Sequence, residues 1–229
     1  FVVGARVSAI CRDADGGILH VQYTDAKGRD AEVSAPAVLM AVGRRAVIPD
    51  GCAEAGIDTD RRGCIVTDDN FQTTREEIYA VGDANGKCML AHAATAQAHR
   101  ALGADVDLSV MPSAVFTHPE VAMVGMTTEA CKNAGVATVT GKAMYASSGK
   151  ARAMGATDGF VKVVADATDG RILGVHIIGA HASDIIDAAA VAISAKMDAK
   201  TLGLRVIHAH PTLAELLGQA ARAAAQNLA

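Results

Sequence analysis

The segment His208-Ala209-His210-Pro211-Thr212-Leu213-Ala214-Glu215 places an imidazole five residues ahead of a carboxylate, across a proline. Histidine titrates near neutral pH, and a carboxylate can fix its tautomer and stabilise its charged form, so His210 and Glu215 have the makings of an oriented acid/base pair. Pro211 restrains the residue before it and permits a cis bond, which would aim the His210 ring away from the helix that follows. Thr212 and Glu215 also match the pattern in which Thr and Glu close a helix N-terminus. Glu215 therefore has two readings, ring orientation and helix capping, and both can hold at once.

A second chemical constellation is Ile78-Tyr79-Ala80-Val81-Gly82-Asp83, an apolar run ending in Gly-Asp. The glycine lets a ligand approach the backbone, and the carboxylate can accept hydrogen bonds from the hydroxyls of a sugar or polyol; an ordinary turn is the other reading. A helical stretch from about Leu90 to Leu102 follows, and its first turn offers free N–H groups and the positive end of the helix dipole. His92 can contact a ligand there or serve packing. Gly43-Arg44-Arg45 follows an apolar run and reads either as backbone set against a nucleotide or as a solvated turn. His118-Pro119-Glu120 reads as structural. The eight histidines show no metal-like grouping, since His208 and His210 lack a third ligand, and no metal is expected.

These residues need elements to hold them. Half of the 229 residues are apolar (51%), enough for a packed core. A net charge of −4, with no Trp, three Tyr and four Phe, argues against nucleic acid. No apolar stretch is long enough to span a membrane, because Asp184 and Asp187 break the Ala-rich segment 182–195. The five cysteines, an odd number without close pairs, suggest neither a disulfide framework nor a zinc site, and a reducing, cytoplasmic location is expected. Phe1-Val2-Val3-Gly4 shows no initiator Met or signal peptide and reads as a start within a domain.

Alternation predicts strands over 6–11, 18–24 and 31–34, a buried strand over 37–42, and further strands at 64–67 and 78–81. A boundary is placed at Met111-Pro112. Beyond it, strands at 114–117, 121–125, 137–144, 159–165 and 171–178 are grouped with helices after Thr127, from Ala182 to about Lys196, and from Thr212, an α+β arrangement. Along 182–196, Ile185, Ile186, Ala189, Ala190 and Ile193 form a stripe that suits either core packing or a subunit contact. A homodimer through residues 112–229 using that face is expected.

Taken in order, Ala41-Val42-Gly43-Arg44-Arg45, the 78–83 run, Met89-Leu90-Ala91-His92, Thr117-His118-Pro119-Glu120-Val121-Ala122-Met123-Val124-Gly125 and the 208–215 segment resemble the later half of the flavin-dependent pyridine nucleotide-disulfide oxidoreductases. The double histidine, Met-Leu-Ala-His and Gly174-Val175-His176-Ile177-Ile178-Gly179 resemble the branch that oxidises dihydrolipoamide; the glutathione-reducing branch usually lacks the first of the two histidines. The resemblance implies an α/β plus α+β protein. Residues 1–45 would finish an NAD-binding domain, 46–110 would form an FAD-contacting region, and 111–229 a dimerisation domain. It further implies that Asp83 binds the flavin ribityl chain, that Met89, Leu90, Ala91 and His92 line the isoalloxazine, and that Gly43 and Val7 contact NAD. His210, oriented by Glu215, would act as base toward a substrate dithiol, across a homodimer in which the other subunit supplies the disulfide. Dihydrolipoamide, carried on a 2-oxo acid dehydrogenase complex, would be the partner.

The chain departs from the family at Ala46, where proline is usual, and it carries neither a Gly-x-Gly-x-x-Gly fingerprint nor a Cys-x-x-x-x-Cys redox pair. By itself it is expected to be inactive and not to retain FAD or NAD. The competing readings are a glutathione reductase-like enzyme and a non-catalytic dimerisation module.

Overall fold

The computed structural model describes residues 1–228. It divides into two compact units, Phe1–Arg45 and Ala46–Ala229. The first is an antiparallel meander of β1 (Arg6–Arg12), β2 (Leu19–Thr24) and β3 (Asp30–Ala35), in that order. The β2–β3 turn is set by Asp25, whose carboxylate accepts the N–H groups of Lys27 and Arg29 at 2.8 and 3.0 Å, and by Gly28 at a φ of +78°. The apolar run 37–42, expected as a buried strand, forms no strand and leaves Leu39, Met40 and Val42 exposed. Such a run signals burial on both faces, which a covered parallel sheet supplies and this antiparallel meander does not.

On that meander His20 is held between two carboxylates, Nε2 at 2.7 Å from Asp13 Oδ1 and Nδ1 at 2.9 Å from Glu32 Oε1. Only the doubly protonated ring can donate to both, so the bond to Asp13 first, then that to Glu32, raises its pKa above 6.5. The resulting stability is fully present below the unfolded value near 6.5 and is lost as pH rises through the higher folded value. Melting followed on residues 6–35 should therefore weaken as pH rises past neutrality, and His20→Asn should flatten that dependence. A parental melt indifferent to pH between about 6 and 8 would refute the pairing.

The second unit opens with short loops joined by single bridges, Thr59 to Ile65, Thr67 to Thr73 and Gln72 to Tyr79, where strands were expected at 64–67 and 78–81. Cys52, Ile65 and Ala80 form a small core there. Helix α1 (Ala91–Ala101) follows. The remainder is a five-stranded antiparallel sheet ordered β4-β5-β8-β7-β6, comprising β4 (Ser113–Val115), β5 (Glu120–Gly125), β6 (Thr138–Met144), β7 (Phe160–Asp166) and β8 (Ile172–Gly179). Helix α2 (Thr128–Asn133) is capped by Thr127, whose hydroxyl accepts the Ala130 N–H at 3.0 Å. The short α3 (Gly149–Ala153) was not anticipated; five residues carry no readable period.

Register puts Gly141, Val163, Val175 and Val124 in one row across the sheet and Ala143, Val161, Ile177 and Ala122 in the next. This face is covered by α4 (Ala182–Ser194), packed on β5 and β8, and by α5 (Glu215–Gln226), packed on β6 and β7. Together they form the main core, including Tyr145, Leu216 and Leu217. Ile185, Ile186 and Ala189 belong to that core, so the α4 stripe proposed as a dimer face is already covered by the sheet of its own chain. Burying it there removes the apolar area that a second copy would otherwise cover. Glu120 of the Thr-His-Pro-Glu run accepts both the N–H (3.0 Å) and the hydroxyl (2.7 Å) of Ser183, tying β5 to the start of α4, and its role is structural.

Candidate functional site

The sheet and α5 decide where His210 stands. Leu213, Leu216, Leu217, Ala220, Ala221 and Ala224 face the core, which fixes the rotation of α5 and leaves Glu215 at its first turn. The expected start at Thr212 moves to Glu215, with Ala214 as N-cap. Glu215 touches the partners that both readings named. Its Oε1 meets His210 Nδ1 at 2.9 Å, and its Oε2 accepts the Thr212 N–H at 2.9 Å. Only half of the capping pattern forms, because the Thr212 hydroxyl donates to the Ala209 carbonyl at 2.7 Å. The His210–Pro211 peptide is cis.

The Thr212 N–H first, and the His210 ring second, hold the Glu215 carboxyl below its ordinary range. An ionised carboxylate only accepts, so Nδ1 carries the proton given to Glu215. Nε2 belongs to a side chain that is 78% exposed, against 26% for Glu215. With Nδ1 engaged by the carboxylate, the other nitrogen is left on an exposed ring, where it can take or give a proton. A groove of about 520 Å³, lined by Met154, His181, Ile185 and Pro211 to Ala214, adjoins it.

A second corner holds Asp83 and the start of α1. Gly82–Asn85 forms a 3-10 turn in which Gly82 has a φ of +73°, and a Cβ there would lie 3.0 Å from that of Ala94. The buried Gln97 of α1 joins turn to helix. Its Oε1 accepts the Gly82 N–H at 2.8 Å and the Asn85 side-chain amide at 2.9 Å. Asn85 also donates to the Ala80 carbonyl at 3.0 Å. Gln97 and Asn85 were missed in the sequence, because their bonds span 15 and 12 positions and Gln97 is one of several polar residues on this helix.

Asp83 is exposed, Met89 and Leu90 are half-buried, and Ala91 and His92 are exposed at the helix start, where the N-cap residue Leu90 makes no side-chain capping bond. His92 Nε2 lies 2.7 Å from the Pro112 carbonyl, to which it must donate, so this ring ties α1 to the following segment. In the first unit, Val7 lies half-exposed on β1 beside a bulge, and Gly43 has a φ of +109° with open space where a Cβ would stand. Among the described residues no cluster of His, Cys, Asp or Glu could hold a metal ion, and no helix is long and apolar enough to cross a membrane. All five cysteines are free.

Residues 1–98 match the family model described as pyridine nucleotide-disulphide oxidoreductase, and residues 111–221 match the dimerisation domain of the same family. The chain belongs to the pyridine nucleotide-disulphide oxidoreductases. Among its curated relatives, a dihydrolipoyl dehydrogenase of Synechocystis is 39% identical, with 90% of this chain and 47% of that protein covered. The mitochondrial dihydrolipoyl dehydrogenase of Sus scrofa is 37% identical over 98% of this chain and 45% of its own length. Among solved structures, LpdA from Mycobacterium tuberculosis is 28% identical with a TM-score of 0.80, covering 95% of this chain and 48% of that one. The chain therefore spans somewhat under half the length of the curated relatives it matches.

Proposed function

We propose that these 229 residues are the later half of an FAD-dependent dihydrolipoyl dehydrogenase, in which His210 is the acid/base toward the substrate dithiol and Glu215 its orienting partner. The observation that carries this reading is the His210 Nδ1 to Glu215 Oε1 bond of 2.9 Å beneath an exposed imidazole. The overall reaction would convert a dithiol and NAD to a disulfide, NADH and a proton. His210 Nε2 would take the thiol proton, while Glu215 stabilises the imidazolium so formed. The redox disulfide and the glycine-rich fingerprints would be supplied by sequence outside these residues.

The corner around α1 fits a flavin. A helix start whose N-cap is the apolar Leu90 and whose first residue is the small Ala91 offers the positive dipole end to an electron-rich ring, and exposed Asp83 suits a ribityl chain. FAD bound there would supply a two-electron relay between dithiol and nicotinamide. Asp83, Met89, Leu90, Ala91 and His92 would hold it, and Gly43 and Val7 would touch NAD. On this reading residues 1–45 end the NAD domain, 46–110 contact FAD and 111–229 dimerise. A homodimer would bring His210 to the other subunit's disulfide. Its contact would use the exposed Leu204, Val206 and Ile207 just before the double histidine, with Val115 and Phe116 at the end of β4, rather than the buried α4 stripe.

Assays of the longer protein carrying these residues decide the substrate. Turnover with dihydrolipoamide and NAD should exceed that with glutathione disulfide and NADPH by roughly a hundredfold or more, the scale of discrimination that differences in apolar contact supply. The reverse preference would support the glutathione reductase reading. The absence of both activities would leave a dimerisation module.

A further inference from the structure

The run from Gly203 to His210 returns along one stripe of α5. At its start, the Arg222 guanidinium donates to the Gly203 carbonyl at 3.2 Å, and a Cβ on Gly203 would lie 2.5 Å from the Arg222 backbone nitrogen. At its end, His210 meets Glu215. Between them the His208 ring is seated against Gly218, where a Cβ would lie 2.4 Å from Nε2 and 2.6 Å from Cδ2. Positions 215, 218 and 222 are three and four apart, so they share one helix face, and the return segment is fastened to it at three successive points. His208 Nε2 is buried without a hydrogen-bond partner. A polar atom left unpaired in this way costs stability, so the ring is retained here for its shape rather than for a bond.

We propose that His208 is a positioning residue. Its ring, seated in the space that Gly218 leaves open on α5, sets the register of residues 208–210 so that His210 Nδ1 reaches Glu215. Removing the ring, or filling its seat, lets the segment slide or lift, and His210 loses its single tautomer. This rests on the reading of His210 and Glu215 as the acid/base pair, but it can fail separately, since the tautomer is a property of this chain without substrate or flavin.

The test is nitrogen NMR of the imidazoles in the 229-residue chain, at mildly alkaline pH where histidine is neutral. Parental His210 should be almost wholly the Nδ1–H form. In His208→Ala, and separately in Gly218→Ala, the ratio of the two His210 tautomers should shift roughly tenfold toward Nε2–H, the scale of one charge-assisted hydrogen bond. The double variant His208→Ala with Gly218→Ala, which returns a methyl to the vacated space, should be less perturbed than the two effects combined. A folded His208→Ala chain whose His210 ratio is unchanged overturns the proposal, whatever Gly218→Ala does to folding. Loss of turnover in a longer enzyme carrying His210→Gln would still leave the acid/base assignment standing.

Discussion

Replacing His210 with Gln in the longer enzyme should slow dithiol oxidation by roughly a hundredfold or more, the usual contribution of a positioned acid/base. Glutamine keeps hydrogen-bonding atoms near those of the ring but cannot shuttle a proton. Glu215→Gln should cost less turnover, because an amide oxygen can still accept from Nδ1 while the charge that stabilises the imidazolium is lost. The same change affects the cap, since the Thr212 N–H now bonds a carboxylate at 2.9 Å and would bond a neutral group. Steady-state rates separate the two roles of Glu215 from each other when read beside melting temperatures. Near-parental turnover with dihydrolipoamide in His210→Gln would remove the base from the mechanism and leave the segment as a helix cap. Because Glu215 ionises below its ordinary range, the stability it lends is present above pH about 4.5 and disappears as pH falls through its lower folded value.

Gly141→Ala should strongly destabilise the sheet, costing about 3 kcal/mol, the upper part of the overpacking range, and lowering the melting temperature by roughly 10 °C. No positive φ is involved. The reason is that β6 approaches the backbone of α5 so closely that a Cβ would lie 2.1 Å from both the Ala220 carbonyl oxygen and the Ala224 nitrogen. Neither is a side chain that can turn aside, so the whole helix must move. Gly149→Ala, at the start of α3 with open space around it, is the control and should stay within about 0.5 kcal/mol of the parent. Equal melts for the two variants would mean that α5 yields freely, and the rigid seat assigned to Glu215 would be wrong.

The strands of the second half were readable because both signals agreed. Val121 to Gly125 and Val161 to Ala165 combine β-branched residues with burial on the helix-covered face, and each lies within a residue or two of its expected place. The run 37–42 misled because apolar content reports a need for burial without saying whether a covering layer is present. Glu215 was legible as a pair with His210 and as a cap, since both follow from spacing along the chain. Gln97 with Gly82, and His208 with Gly218, are contacts made by the fold across 15 and 10 positions; no local period announces them. The α4 stripe was correctly seen as apolar, but the choice between core and partner depended on whether α4 lies on β5 and β8, which only three-dimensional packing settles.

The double acceptance by Gln97 has a consequence for any change made around α1. Because one buried oxygen holds both the backbone of the Asp83 turn and the side chain of Asn85, turn and helix behave as a single casting rather than as two adjustable parts. A substitution at Asp83 will be felt at the start of the helix, and the reverse holds too. Evolution or engineering at this corner must trade the two in tandem.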